Sequence, residues 1–253
     1  METITISPEM TLTPAMVVSV ARNHAKVLLS DASKSQIAQC RAGLESVLND
    51  GLPHYGINTG FGSLANKSIE QDDLENLQRN LIRSHAAGIG EPLESEVVRG
   101  MMFVLACSLS RARSGVRVEV VTHILSMLNA GITPIVPELG SVGASGDLAP
   151  LAHITEVMIG EGQAIINNTI KPGIEALSLA NLQPLNLQAK EGLALINGTH
   201  LMTARFALIE QDLNQLVDAA LVANAMSIDA ARASHGYLDQ RVYVARNQPG
   251  AAE

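Results

Sequence analysis

The chain has 253 residues, a net charge of −8 and no long run of Lys or Arg, which excludes nucleic-acid binding through a basic patch. Hydrophobic residues at 47% and charged residues at 17% exclude disorder and allow a sizeable core, mostly aliphatic because aromatics are only 2%. Cys40 and Cys107 lack metal-ligand spacing and are too few for a disulfide framework.

Residues 1–20 lack the basic start and apolar core of a signal peptide, and periodicity predicts helices over 13–29 and 32–49, with Asp31 or Ser33 capping the second. The stretch 51–68, "GLPHYGINTGFGSLANKS", carries four glycines and a proline without period; a loop of that length is more often functional than idle. Helical spacing returns at 70–86, with Leu74, Leu77, Leu81 and Ile82 on one face, and continues over 94–110 and 116–130 after "GIGEP". The prolines of "GITPIVPELG" (131–140) argue against a regular central strand. A short helix over 148–159 accommodates Pro150 in its first turn, and "QAIINNTIKPG" (163–173) predicts a hairpin turning at Asn167-Asn168.

No Gly or Pro intervenes between Thr199 and His235, so one long helix is predicted there, apolar on nearly every side and therefore buried in a bundle. Its most apolar stretch, 216–233, holds Asp218, Asn224, Asp229 and Arg232, which a membrane span would hardly tolerate. The chain is expected to be a soluble cytoplasmic protein, mainly α, with a helical bundle, a small β-hairpin and a single domain over 1–253. The long helix needs cover from a further segment or other subunits.

The stretch 138–153, "ELGSVGASGDLAPLAH", places a small-residue loop directly before Asp147 and an apolar helix. A nucleotide-binding loop does not fit, because no Gly-Lys-Ser/Thr follows and the preceding segment is broken by proline. A hinge is one reading. The other uses the backbone: in a tight turn the Gly146 amide nitrogen attacks the Ala144 carbonyl carbon, and loss of one water closes a five-membered imidazolone. Loss of the Ser145 hydroxyl as a second water leaves an exocyclic methylene. Gly146 has no Cβ to block the approach, Ala144 is small, Ser145 carries the leaving group, and Asp147 is placed to hold the loop.

The string "GSVGASGDLAPLAH" closely resembles the signature of the aromatic amino-acid ammonia-lyase and aminomutase family, whose prosthetic group is 4-methylidene-imidazol-5-one (MIO), formed from Ala-Ser-Gly. "YGINTGFG" (55–62), "SHAAGIGEPL" (84–93), "NAGITPIVPELGSVG" (129–143) and "LINGT" (195–199) extend the resemblance from about residue 10 to the end. It implies a fumarase/aspartase-like helical fold and an MIO made from Ala144, Ser145 and Gly146, with no external cofactor and no metal. The seven histidines show no ligand spacing.

The resemblance also implies Tyr55 as the base that takes the β-proton, with Gly62 among the glycines that close its loop over substrate. The family's specificity pair falls on Ser84 and His85; Ser-His resembles the histidine-specific members, which implies conversion of L-histidine to trans-urocanate and ammonia in histidine catabolism. Asn197 is assigned to the MIO carbonyl or the substrate, besides capping the long helix; Asp147 supports the loop. Arg83, Glu91 and the other histidines are read as solvated or structural groups.

Family members are about twice as long and form homotetramers around a shared helical bundle. The second tyrosine, the carboxylate-clamping arginine and the glutamate near the amine have no motif before Glu253, so an N-terminal half is expected. Phenylalanine- or tyrosine-specific lyase or aminomutase activity, or a silent fragment that only associates through its helices, remain the alternatives.

Overall fold

In a computed structural model of the chain, the residues described are 2–48, 50, 52–54, 56–59, 69, 73–142, 146–247 and 250. They form two units, Met1–Glu210 and Gln211–Glu253. The fold is mainly α, as composition and periodicity predict.

The first departure from expectation lies at 13–29. Helix α1 (Pro14–Ala21) starts where Thr13 Oγ1 accepts from the Met16 N–H at 3.4 Å, with Pro14 in its first turn. It ends early: His24 at φ +54° turns the chain, and Lys26–Leu29 forms β2, paired in parallel with β1 (Thr3–Ile6). Alternation explains the switch, since Ile4, Ile6, Val27 and Leu29 point inward while their neighbours stay exposed. Another correction concerns the cap of α2 (Asp31–Leu48). Ser30 Oγ accepts from the Ser33 N–H at 3.1 Å, whereas Ser33 is buried and donates its hydroxyl to the Ile6 carbonyl.

Helix α3 (Leu74–His85) buries Leu74, Leu81 and Ile82 as its spacing predicts, while Leu77 is only half-buried and Gln78 is buried beside it. Helix α4 (Ser95–Leu109), buried along nearly its whole length, is the centre of the first unit, with α1 and α5 (Val118–Asn129) packed on it. Its Gly100 lets the chain approach closely, because a Cβ would lie 3.2 Å from Ala204 Cβ and 3.3 Å from Val17 Cγ1. Arg99, buried with no carboxylate partner among the described residues, donates to the carbonyls of Val20 and Leu128 at the C-terminal ends of α1 and α5, where helix dipoles are negative.

The prolines of 131–140 permit only short strands. β3 (Ile89–Pro92) and β5 (Pro137–Leu139) pair antiparallel with an irregular register, and β4 (Thr133–Pro134) flanks the predicted hairpin of β6 (Gln163–Ile166) and β7 (Thr169–Pro172). Asn167 and Asn168 take φ +50° and +58°, as the turn requires. Helices α6 (Leu148–Met158), α7 (Gly173–Leu179) and α8 (Glu191–Ile196) complete the first unit, with the opening turns of α9 (His200–Ala230).

The uninterrupted helix predicted from Thr199 is α9. Leu213, Leu216, Val217, Leu221, Val222 and Met226, expected inside a bundle, are exposed in this chain. The all-round burial expected of α9 belongs instead to α4. In the second unit α9 is followed by a 3-10 turn (Gly236–Leu238) and α10 (Gln240–Arg246), capped by Asp239. Among the described residues no helix is long and apolar enough to cross a membrane.

Candidate active site

Of the residues singled out by sequence, Gly146, Asp147, Ser84, His85 and Asn197 are described; Tyr55, Gly62, Ala144 and Ser145 lie outside the described residues. Asp147 is fully buried. Its Oδ1 accepts the Ser141 hydroxyl at 2.6 Å, and its Oδ2 accepts the N–H groups of Leu201 at 2.7 Å and Met202 at 3.1 Å. Its own N–H donates to the Gly198 carbonyl at 2.6 Å. A single carboxylate therefore caps α9 from outside that helix while standing immediately before α6. The positive ends of two helices meet at it, which suits a carboxylate.

Asn197, expected to cap α9, closes α8 instead: its N–H bonds the Leu193 carbonyl, and its side chain is exposed. The reason is competition. Asp147 occupies the Leu201 and Met202 N–H groups in the first turn of α9, which leaves the Asn197 amide available.

Gly146 has φ +122°, and a Cβ there would collide with the Gly198 carbonyl. Only glycine fits this turn, so the described end of the Ala-Ser-Gly segment suits the closely approached backbone that MIO formation requires. The Gly198 backbone lies in turn against the His200 imidazole, into which a Cβ on Gly198 would run. Ser141, Gly198 and His200 were not singled out by sequence; the glycine of "NGT" was the available signal.

Ser84 and His85 close α3. His85 Nδ1 lies 2.8 Å from the Leu81 carbonyl, which only accepts, so Nδ1 carries the hydrogen and, in the neutral ring, Nε2 keeps its lone pair. The Ser84 hydroxyl donates to the same carbonyl at 2.9 Å. Three residues on, the Gly88 N–H donates to His153 Nε2 of α6 at 3.1 Å, while Gly140 packs against Gly88 and Ala149. The connection after His85 and the segment leading to Asp147 thus converge on the first turns of α6. Arg83 pairs through both Nε and Nη2 with Glu161, at 2.9 and 2.7 Å, on the surface. Among the described residues no group of three His, Cys, Asp or Glu side chains is arranged to hold a metal ion.

Burial pushes His200 below its ordinary 6.5, with Asp147 pulling the other way less strongly; burial alone does the same to His123. Both folded-state values lie below the unfolded ones, so the unfolded chain binds more protons as pH falls through 6.5. Stability is expected to decline below that pH. Thermal melts across an acid series check it: His123→Gln should flatten part of the decline, and an unchanged slope would place the acid sensitivity elsewhere.

A mainly helical chain whose glycine turn is clamped between two helix N-termini matches the aromatic amino acid lyase family model over residues 12–253, and the chain belongs to that family. It is 48% identical over 234 residues to the histidine ammonia-lyase of Deinococcus radiodurans, covering 92% of this chain and 45% of that protein. Among solved structures it is similar to histidine ammonia-lyase from Trypanosoma cruzi, with a TM-score of 0.89 at 36% identity, covering 99% of this chain and 48% of that one. It is also similar to a Pantoea agglomerans phenylalanine aminomutase, with a TM-score of 0.88 at 30% identity, covering 98% of this chain and 47% of that one. The chain spans about half the length of the curated relatives it matches.

Proposed function

We propose that the chain carries the MIO-forming part of a histidine ammonia-lyase, with Ala144, Ser145 and Gly146 as the precursor. The observation that carries this reading is the Gly146 turn, which has room for glycine alone and is held by a buried Asp147, in a chain of the aromatic amino acid lyase family. Once formed, the group supplies an electron-poor methylene carbon that draws electrons from the substrate amine and makes ammonia a feasible leaving group.

The chain's own residues supply the rest of this half of the site. Tyr55 takes the β-proton, with Gly62 in the loop that excludes water. His85, whose Nδ1–H is committed to Leu81, offers Nε2 as an acceptor for a substrate N–H, which fits an imidazole better than a phenyl ring. Ser84 stands beside it, and the exposed Asn197 amide serves the substrate or the MIO carbonyl. The apolar length of α9 is covered by other chains in a homo-oligomer.

Intact mass and near-ultraviolet absorbance test the reading. The chain is expected to weigh two waters less than its sequence and to absorb above the level of Ser145→Ala, which keeps both waters. A full-weight wild-type chain would defeat the proposal. An assay against histidine, phenylalanine and tyrosine then tests the pair: preference for phenylalanine would overturn the role of Ser84 and His85. The span of about half the relatives' length favours a second reading, in which the chain condenses but turnover awaits residues outside these 253. Loss of both waters without urocanate production distinguishes it.

A further inference from the structure

We propose that His200 is a positioning residue for the backbone condensation, its imidazole backing the Gly198 peptide against which the Gly146 turn is pressed. This rests on the MIO reading above. In that condensation the Gly146 nitrogen bonds to the Ala144 carbonyl carbon. One water leaves with the Ala144 oxygen and the amide hydrogens of Ser145 and Gly146, and a second with the Ser145 hydroxyl and Cα hydrogen. The step needs Gly146 kept in a turn it would otherwise relax.

Gly146 is confined by the Gly198 peptide, since a Cβ on Gly146 would meet the oxygen, carbon and nitrogen of Gly198. Gly198 is confined in its turn. Asp147 N–H holds its carbonyl, and the ring of His200 lies where a Gly198 side chain would begin. His200 is 7% exposed, and its Nδ1 is buried without a partner among the described residues. A buried polar atom left unpaired costs stability, so hydrogen bonding does not set the ring's place. Packing against Gly198 does, together with the first turn of α9, which Asp147 grips through Leu201 and Met202.

Asp147 thus secures both the peptide beside Gly146 and the helix that carries the backing ring. The ring's shape is the required feature, and its nitrogen is dispensable.

The test follows loss of two waters by intact mass over time in the freshly synthesised 253-residue chain, with far-ultraviolet circular dichroism reporting folding. His200→Ala is expected to slow conversion by about tenfold or more at unchanged helicity. His200→Phe, which keeps a planar ring without Nδ1, should convert close to the wild-type rate. Gly198→Ala should also be slow, and adding His200→Ala should restore speed because the methyl then occupies the vacated space. That double variant keeps the test decisive if His200→Ala alone fails to fold. Wild-type conversion in His200→Ala, a Phe variant as slow as Ala, or no restoration in the double variant would overturn the inference. A wild-type chain that keeps both waters would instead overturn the MIO reading itself.

Discussion

Replacing Asp147 by Ala is expected to lower the unfolding free energy by about 3–5 kcal/mol and to abolish condensation, read by urea unfolding and intact mass. The magnitude follows from what the carboxylate satisfies. Leu201 N–H and Met202 N–H are donors in the first turn of α9, and both lose their acceptor inside the protein. Leu201 is buried, so its orphaned donor costs about 1–3 kcal/mol, while Met202, 50% exposed, costs less because water can reach it. The Ser141 hydroxyl also loses its acceptor, and the two helix N-termini lose the negative charge between them.

Asp147→Asn separates charge from hydrogen bonding. An Asn oxygen can still serve Leu201 and Met202 while its NH2 donates to a rotated Ser141 hydroxyl, so a loss of about 1–2 kcal/mol is expected. An Ala variant within 1 kcal/mol of wild type would show that α9 finds another cap, and the clamp on Gly146 would then have no physical basis.

Asp147 also marks how far the sequence could be read. Its place before an apolar helix was visible, and the family motif drew attention to it. That it caps a helix starting 53 residues later was not, because a local N-cap pattern contains no long-range acceptor. Asn197 looked like the cap for the same reason: it precedes the helix in sequence, and the competitor arrives from another element. Helix α3, the hairpin at Asn167-Asn168 and the span of α9 were legible because each is specified by local period or turn chemistry.

Strand β2 was not legible within 13–29, since four residues of alternating burial are shorter than the period needed to tell strand from helix, and pairing with Thr3–Ile6 decides the matter. Burial of α9 was misjudged for a related reason. All-round apolarity states that a helix needs cover, but not that its own chain provides it. Within the site, Gly146 was legible because backbone condensation demands a residue without Cβ. Gly198 packs against that backbone and His200 against Gly198, and packing partners leave no spacing signal.

The second large effect lies away from the glycine turn, in the long connection from α7 to α8. Glu191, fully buried at the start of α8, accepts the Arg117 backbone N–H at 3.0 Å, Arg117 Nε and Nη2 at 2.8 Å each, and the Gln188 N–H at 2.8 Å. Arg117 also reaches the Asn186 carbonyl, and Arg41 holds those of Ala189 and Gly115. The paired carboxylate raises the Arg117 pKa, chiefly through that side-chain hydrogen bond. Residues 186–190 have no regular hydrogen-bonded structure of their own, and Lys190 sits at φ +70°, so these side chains stand in for a ladder.

Glu191→Ala should therefore cost about 3–5 kcal/mol, the range for removing one partner of a buried ion pair. Glu191→Gln, which keeps the shape and two acceptor sites, should cost less. A double-mutant cycle with Arg117→Gln isolates the pair, and a coupling near zero would mean that Arg117, 22% exposed at its side chain, is satisfied by solvent. Because α8 ends in Asn197, a loosened start to that helix should also slow condensation at Gly146. Slower loss of the two waters in Glu191→Gln, under conditions where the chain stays folded, would connect this ion pair to the site; conversion at the wild-type rate would confine Glu191 to stability.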